Sequence, residues 1–303
     1  MGKLIAKLLN QIIKIKNKIK SGKMKFNIYK NKNELLSIKD NVQNLFKMVF
    51  NRSLTDNEWE HYYLNSPLQD VVSFVGYEND TLIAHGAIIK QQLKDDQGNI
   101  FSYFIQTAIM VHPEHRNLLC FNSLMQTIHD YVNSANTFVM AFPNDNSYGP
   151  FIQMLRWHKI TEYKIKQYSF AKEDIDRAEN SQVDQQDYQY SLNIDERFFK
   201  WRSELNNMKL HNLDPGNIIY KDYEGALEIL DVNGKNVLLK NIMQQLGFEK
   251  VNLPDCFLAS VNMNGLSFNI EVGNTQRMCV YPNKSKNIDY AAIKPSLLFS
   301  DVF

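Results

Sequence analysis

The stretch Thr107 to Met125, TAIMVHPEHRNLLCFNSLM, constrains this chain more than any other. Ala108, Ile109, Met110 and Val111 read as an apolar strand, His112 to Arg116 as a polar elbow, and the residues from about Leu118 as an amphipathic helix. The first N–H groups of a helix have no intrahelical partner, and the macrodipole is positive there. A strand that feeds a helix through a basic turn is therefore a place to hold an anion of diphosphate size.

The flanking sequence supplies an ordered series of strands and helices. Phe26 to Tyr29 reads as a short first strand, and Asn33 or Ser37 as the cap of a helix with apolar positions Leu35, Val42, Leu45, Phe46, Val49 and Phe50. Thr55 to Glu58 is a capping box that opens a second helix through Trp59, Tyr62 and Tyr63, stopped near Pro67. Strands are expected over 71–77, 82–89 and 100–111, with turns at Asn79-Asp80 and at Asp95 to Gly98. Phe138 to Phe142 predicts a buried fifth strand and Ile160 to Phe170 a sixth. Residues 173–187, rich in Asp, Glu, Gln and Asn, read as a linker. Beyond it come an aromatic helix with Phe198, Phe199, Trp201 and Leu205, strands at 217–220, 226–231 and 257–261, and a helix over 237–246 ended by Gly247.

Val111, His112, Pro113 and Arg116 resemble the GNAT acyltransferases, whose pattern is V-H-P-x-x-R and then Arg-x-x-Gly-x-Gly or Ala opening a helix. Phe142 to Trp157, FPNDNSYGPFIQMLRW, resembles a second segment of that family, in which the fifth strand ends at Asn-rich residues and a helix closes with Gly-Phe or Gly-Trp. Leu119 and Phe121 stand in place of the loop glycines, and Arg156 in place of the closing Gly. The resemblance implies an α/β (α+β) chain of GNAT fold: a mixed, mostly antiparallel sheet flanked by helices, with an acyltransferase domain over 24–172. DERFFKWR at Asp195 to Arg202 and FSDVF at Phe299 to Phe303 resemble a degenerate second GNAT-like half, here 188–303, for which no catalytic contribution is expected.

The same resemblance implies acetyl-CoA as co-substrate and an N-acetyltransferase acting on a small-molecule amine, for which an amino sugar or an envelope polysaccharide intermediate is the expectation. Pyrophosphate would lie on the backbone of Arg116, Asn117, Leu118, Leu119, Cys120 and Phe121. The backbone of Ile109, Met110 and Val111 would polarise the thioester carbonyl, and Asn144 would contribute from the polar run after the fifth strand. The family's usual acid, a tyrosine five residues before the closing aromatic, is Ile152 here. Tyr148 is the nearest substitute, a phenol of pKa about 10. The missing glycines and Ile152 leave open a GNAT-like binding or scaffold protein without catalysis, and an aminoacyl transferase of related fold as a third reading.

The chain's 303 residues, 44% of them hydrophobic, suffice for two domains. The net charge of +1 is unevenly placed: of 34 basic residues, eight lysines fall within residues 1–25, which hold no acid, leaving 26 against 33 acidic in the rest. Over 1–23, Leu4, Ile5, Leu8, Leu9, Ile12, Ile15 and Ile19 share one arc of a helical wheel, opposite Lys3, Lys7, Lys14 and Lys18. Such a basic amphipathic helix fits peripheral contact with a membrane surface through residues 1–20, or docking against protein. Three widely spaced cysteines argue against a disulfide framework and for the cytoplasm, and no apolar run is long enough to span a bilayer. His112 and His115 lack a third ligand nearby, so no metal is expected, nor a nucleic-acid partner. The oligomeric state stays open.

Overall fold

The computed structural model describes residues 24–170, 188–213, 216–234, 237–263, 268–283 and 288–299. The basic leader, the linker and the end of FSDVF lie outside these residues. Strand β1 (Lys25–Tyr29) leads into helix α1 (Lys32–Phe50). Asn31, rather than Asn33 or Ser37, is its cap: the Asn31 side chain accepts the Glu34 N–H at 3.0 Å, and the Glu34 carboxylate accepts the Asn31 N–H at 3.3 Å. A carboxylate three residues on completes that box and starts the helix earlier than its apolar periodicity indicates. The Thr55 box opens helix α2 (Asp56–Trp59), which continues over Glu60–Leu64 with a wider, π-type turn.

Strands β2 (Val71–Glu78), β3 (Thr81–Asp95) and β4 (Ile100–Val111) form a meander. Asn79 and Asp80 both have positive φ, 49° and 63°, as a tight hairpin turn requires. Helix α3 (Leu118–Ser134), β5 (Val139–Ala141), helix α4 (Asp145–Gly149, widening over Pro150–Met154) and β6 (His158–Ser169) follow. Beyond the linker come β7 (Tyr190–Leu192), α5 (Glu196–Asn206), β8 (Lys209–Asn212), β9 (Asn217–Tyr223), β10 (Ala226–Asn233), β11 (Val237–Leu238), α6 (Leu239–Leu246), β12 (Lys250–Pro254), β13 (Val261–Asn262) and β14 (Asn269–Tyr281). The strand expected at 257–261 is instead a 3-10 turn, Asp255–Phe257, followed by two-residue β13.

Among the described residues, twelve strands make one mixed, mostly antiparallel sheet in the order β1-β2-β3-β4-β5-β14-β6-β12-β10-β9-β8, with β7 paired to β3. Two neighbouring pairs are parallel, β4 with β5 and β10 with β12, and each is bridged by a helix, α3 or α6. The same strand–helix–strand unit therefore occurs once on each side of the linker. The expected division at 173–187 separates stretches of sequence and not independent sheets, because β14 lies between β5 and β6. Helix α5 also packs on the first half, its Trp201 ring stacked 5.1 Å from His61 and its indole N–H donating to the His61 carbonyl at 3.0 Å. Apolar side chains of α1, α2 and the C-terminal turn fill one face of the first half, and those of α3 the other.

Candidate functional site

The site begins with a fault in β4. Ala108 has φ of 50°, a left-handed conformation that costs a non-glycine residue energy, and the β3–β4 register shifts between His85 and Ala87. Buried His85 holds the fault in place: its Nδ1–H donates to the Ala108 carbonyl at 3.0 Å, and its Nε2 accepts from the Ser73 hydroxyl at 3.4 Å. Burial pushes the imidazole down to about 4, so the ring is neutral, and donation to a carbonyl fixes its proton on Nδ1.

A one-residue bulge changes which amides face which neighbour. Before it, Phe104 N–H donates toward β5, to the Phe138 carbonyl at 3.0 Å; after it, His112 N–H donates toward β3, to Ile83 at 2.8 Å. By alternation, Ile109 and Val111 direct their N–H groups away from β3. Strand β5 pairs with β4 only at Phe104 and Ile105 and ends at Ala141, so among the described residues no strand meets those amides. The opening is a cleft of about 1210 Å³ between β4, β5, the end of α1 and the starts of α3 and α4.

Of the expected site residues, Ile109, Val111, Arg116, Asn117, Leu118, Phe121 and Asn144 line this cleft. Met110 lies on the opposite face of β4, buried with α1 and α2, because side chains alternate along a strand. Cys120 is buried beneath the sheet, and half-buried Leu119 is not part of the wall. Tyr148 also lies off the cleft wall. Its ring faces the Arg277 guanidinium, 4.9 Å away, which bonds Asp145 at 2.5 Å and Glu162 at 3.5 Å.

The start of α3 differs from the expected cradle of open amides. The Asn117 side-chain oxygen accepts both the Leu119 and Cys120 N–H groups at 3.0 Å. Arg116 N–H reaches Pro113, Asn117 N–H reaches His115, and Phe121 N–H reaches the Asn117 carbonyl. Leu119 and Cys120 N–H are thus held by the cap, and an anion must displace the Asn117 side chain to use those two donors. The Arg116 guanidinium is exposed on the rim and has no ion pair among the described residues. His115 anchors the elbow to Glu78 at 3.2 Å.

Sequence reasoning missed three contributors. His85 interrupts an otherwise apolar strand, which was a readable signal. Gln106, nine-tenths buried on the cleft wall, donates its amide to Met125 Sδ at 3.3 Å, and its oxygen has no partner among the described residues. The third is the α1 end with Phe299, which nothing in the sequence links to β4. The corresponding opening between β10 and β12 is filled: Ser296 donates to the Leu230 carbonyl at 3.3 Å, and Lys294 donates to Asp231 at 2.9 Å and to the Val232 carbonyl.

Residues 37–157, which include the bulged β4, α3 and β5, match the acetyltransferase (GNAT) domain. The chain carries a GNAT domain. Acyl transfer from an acyl-CoA is the chemistry that goes with it. In fold the chain is similar to a probable N-acyltransferase of Enterococcus faecalis (12% identity, TM-score 0.58, 84% of this chain and 72% of that one). It is also similar to GCN5-related N-acetyltransferases from Kribbella flavida (10%, 0.58, 86% and 71%) and Anabaena variabilis (13%, 0.56, 84% and 72%). At these identities the likeness speaks for the fold. No curated protein matches the sequence. Among the described residues no helix is long and apolar enough to cross a membrane.

Proposed function

We propose that this GNAT domain is an acyl-CoA-dependent N-acyltransferase that acts on a small-molecule amine. The observation that carries the reading is the open edge of β4, where Ile109 and Val111 present N–H groups to the cleft because the Ala108 bulge turned them there. Preorganised amides of this kind polarise a thioester carbonyl and stabilise the oxyanion that forms as an amine nitrogen attacks. The C–N bond forms as C–S breaks, the nitrogen gives up a proton and the thiolate takes one up. Thr107 and Ser147 supply the cleft's hydroxyls, and Ser147 is held by the Asn144 side chain at 3.0 Å. Arg116 is the guanidinium placed for the diphosphate of CoA.

The test is calorimetric titration of the wild type and Arg116→Ala with acetyl-CoA. The variant should bind about 10- to 160-fold more weakly, the roughly 1.5 to 3 kcal/mol of a hydrogen bond to a charged group. The amides capped by Asn117 favour a second reading, a GNAT-like binding protein that does not take CoA. Absence of any wild-type binding at millimolar ligand would select it.

A further inference from the structure

The cleft has two unlike ends. One carries the Arg116 guanidinium, exposed at the start of α3 and without an ion pair among the described residues. The other is walled by Val49, Phe50, Phe142 and Phe299, and no Asp, Glu or Lys lines the cleft among the described residues. Arg52 lies at that second end, but its charge is taken up: its Nη1 bonds Glu58 at 2.9 Å and its guanidinium carbon lies 4.9 Å over the Phe46 ring. Phe50 is 45% exposed, so part of this wall is apolar surface open to the cleft. Ala108, Ile109 and Val111 line the same cleft as both ends. A thioester with its diphosphate at Arg116 and its carbonyl on the Ile109 and Val111 amides therefore projects its acyl group toward the aromatic wall. Phe299 is fully buried behind this wall, and an acetyl methyl would leave the exposed Phe50 and the half-buried Val49 and Phe142 wet.

Resting on the acyl-CoA reading above, we infer that the donor's acyl group is a medium-length or long apolar chain that packs on Val49, Phe50 and Phe142, which the buried Phe299 backs. Titration of the full-length protein with CoA, acetyl-CoA and octanoyl-CoA tests this. Each buried methylene is worth about 4-fold in affinity, so burial of only two or three makes octanoyl-CoA roughly 15- to 60-fold tighter than acetyl-CoA. Phe50→Ser, at a position exposed enough to spare the fold, should reduce the octanoyl-to-acetyl preference by at least about 4-fold. If CoA and acetyl-CoA bind but octanoyl-CoA binds no tighter, the chain-length inference falls and the acyl-CoA reading stands. An octanoyl preference unchanged in Phe50→Ser overturns the assigned wall, and failure of all three ligands to bind overturns both readings.

Discussion

His85 and His129 are placed where a charge would be costly, and each holds something else in position. His85 fixes the carbonyl of the β4 bulge. His129 on α3 accepts the Trp157 indole N–H at 2.9 Å through Nε2 and stacks on Tyr281 at 3.8 Å, an arrangement open only to the neutral ring. Burial pushes both imidazoles down to about 4, against a weak upward pull from the Ala108 carbonyl in one case and from Asp130 in the other. Histidines in the unfolded chain titrate near 6.5, so above that pH neither state is charged and stability is full. Between 6.5 and 4 the unfolded chain binds protons that the folded one refuses, and stability falls with pH through that window. Each ring contributes on the order of 3 kcal/mol to the loss. Urea melts at pH 7.5 and pH 4.5 should differ by several kcal/mol. His61 is depressed by burial as well, so His129→Gln, whose amide oxygen can still accept from Trp157, should narrow that difference without abolishing it. An unchanged difference would place the titration on other groups.

At the scale of elements, α3 carries the clearest conflict between stability and ligand. Asn117 is a strong cap, and its oxygen occupies two of the donors that an anion would use. Asn117→Ala should lower unfolding free energy by about 1 kcal/mol. It should also tighten CoA binding by roughly 5-fold, because the ligand no longer has to displace the cap. Melting and calorimetry on the one variant give opposite signs if this is right; weaker CoA binding would mean that the Asn117 side chain itself holds the ligand. The start of α3 at Leu118 was legible because Asn precedes an apolar-periodic run, and β4 was legible at both ends from its density of aromatic and β-branched residues. The bulge was not, since residues on both of its sides are apolar and a slipped register leaves no mark in the sequence. Strand β14 was missed for a different reason. Its pairing breaks between Val272 and Thr275, where Gly273 fits because a Cβ would meet the Ile165 carbonyl oxygen at 2.9 Å, and Asn274 to Arg277 interrupt any alternation.

That missed strand decides how the whole molecule is held together. In the order β5-β14-β6-β12, β14 comes from beyond the linker and pairs with β5 through Cys279–Tyr281, while β6 comes from before it and pairs with β12 through Ile165–Ser169. Each half lends a long strand to the other, and β14 and β6 pair with each other along most of their length. Met278, Cys279 and Val280 are fully buried, and Arg277 beside them clamps the start of α4, one wall of the cleft. A chain cut in two within 173–187 should therefore stay one particle. A protease site inserted near residue 180 and cleaved completely should leave fragments that co-elute under native conditions and separate in urea, with a single cooperative melt before cleavage. Residues 24–172 expressed alone should lack that melt and the cleft, because β5 loses its neighbour and the apolar face under β14 meets water. A cooperative transition in that fragment within a few degrees of the intact chain would show that the first half folds by itself and that the exchanged strands only dock two finished domains.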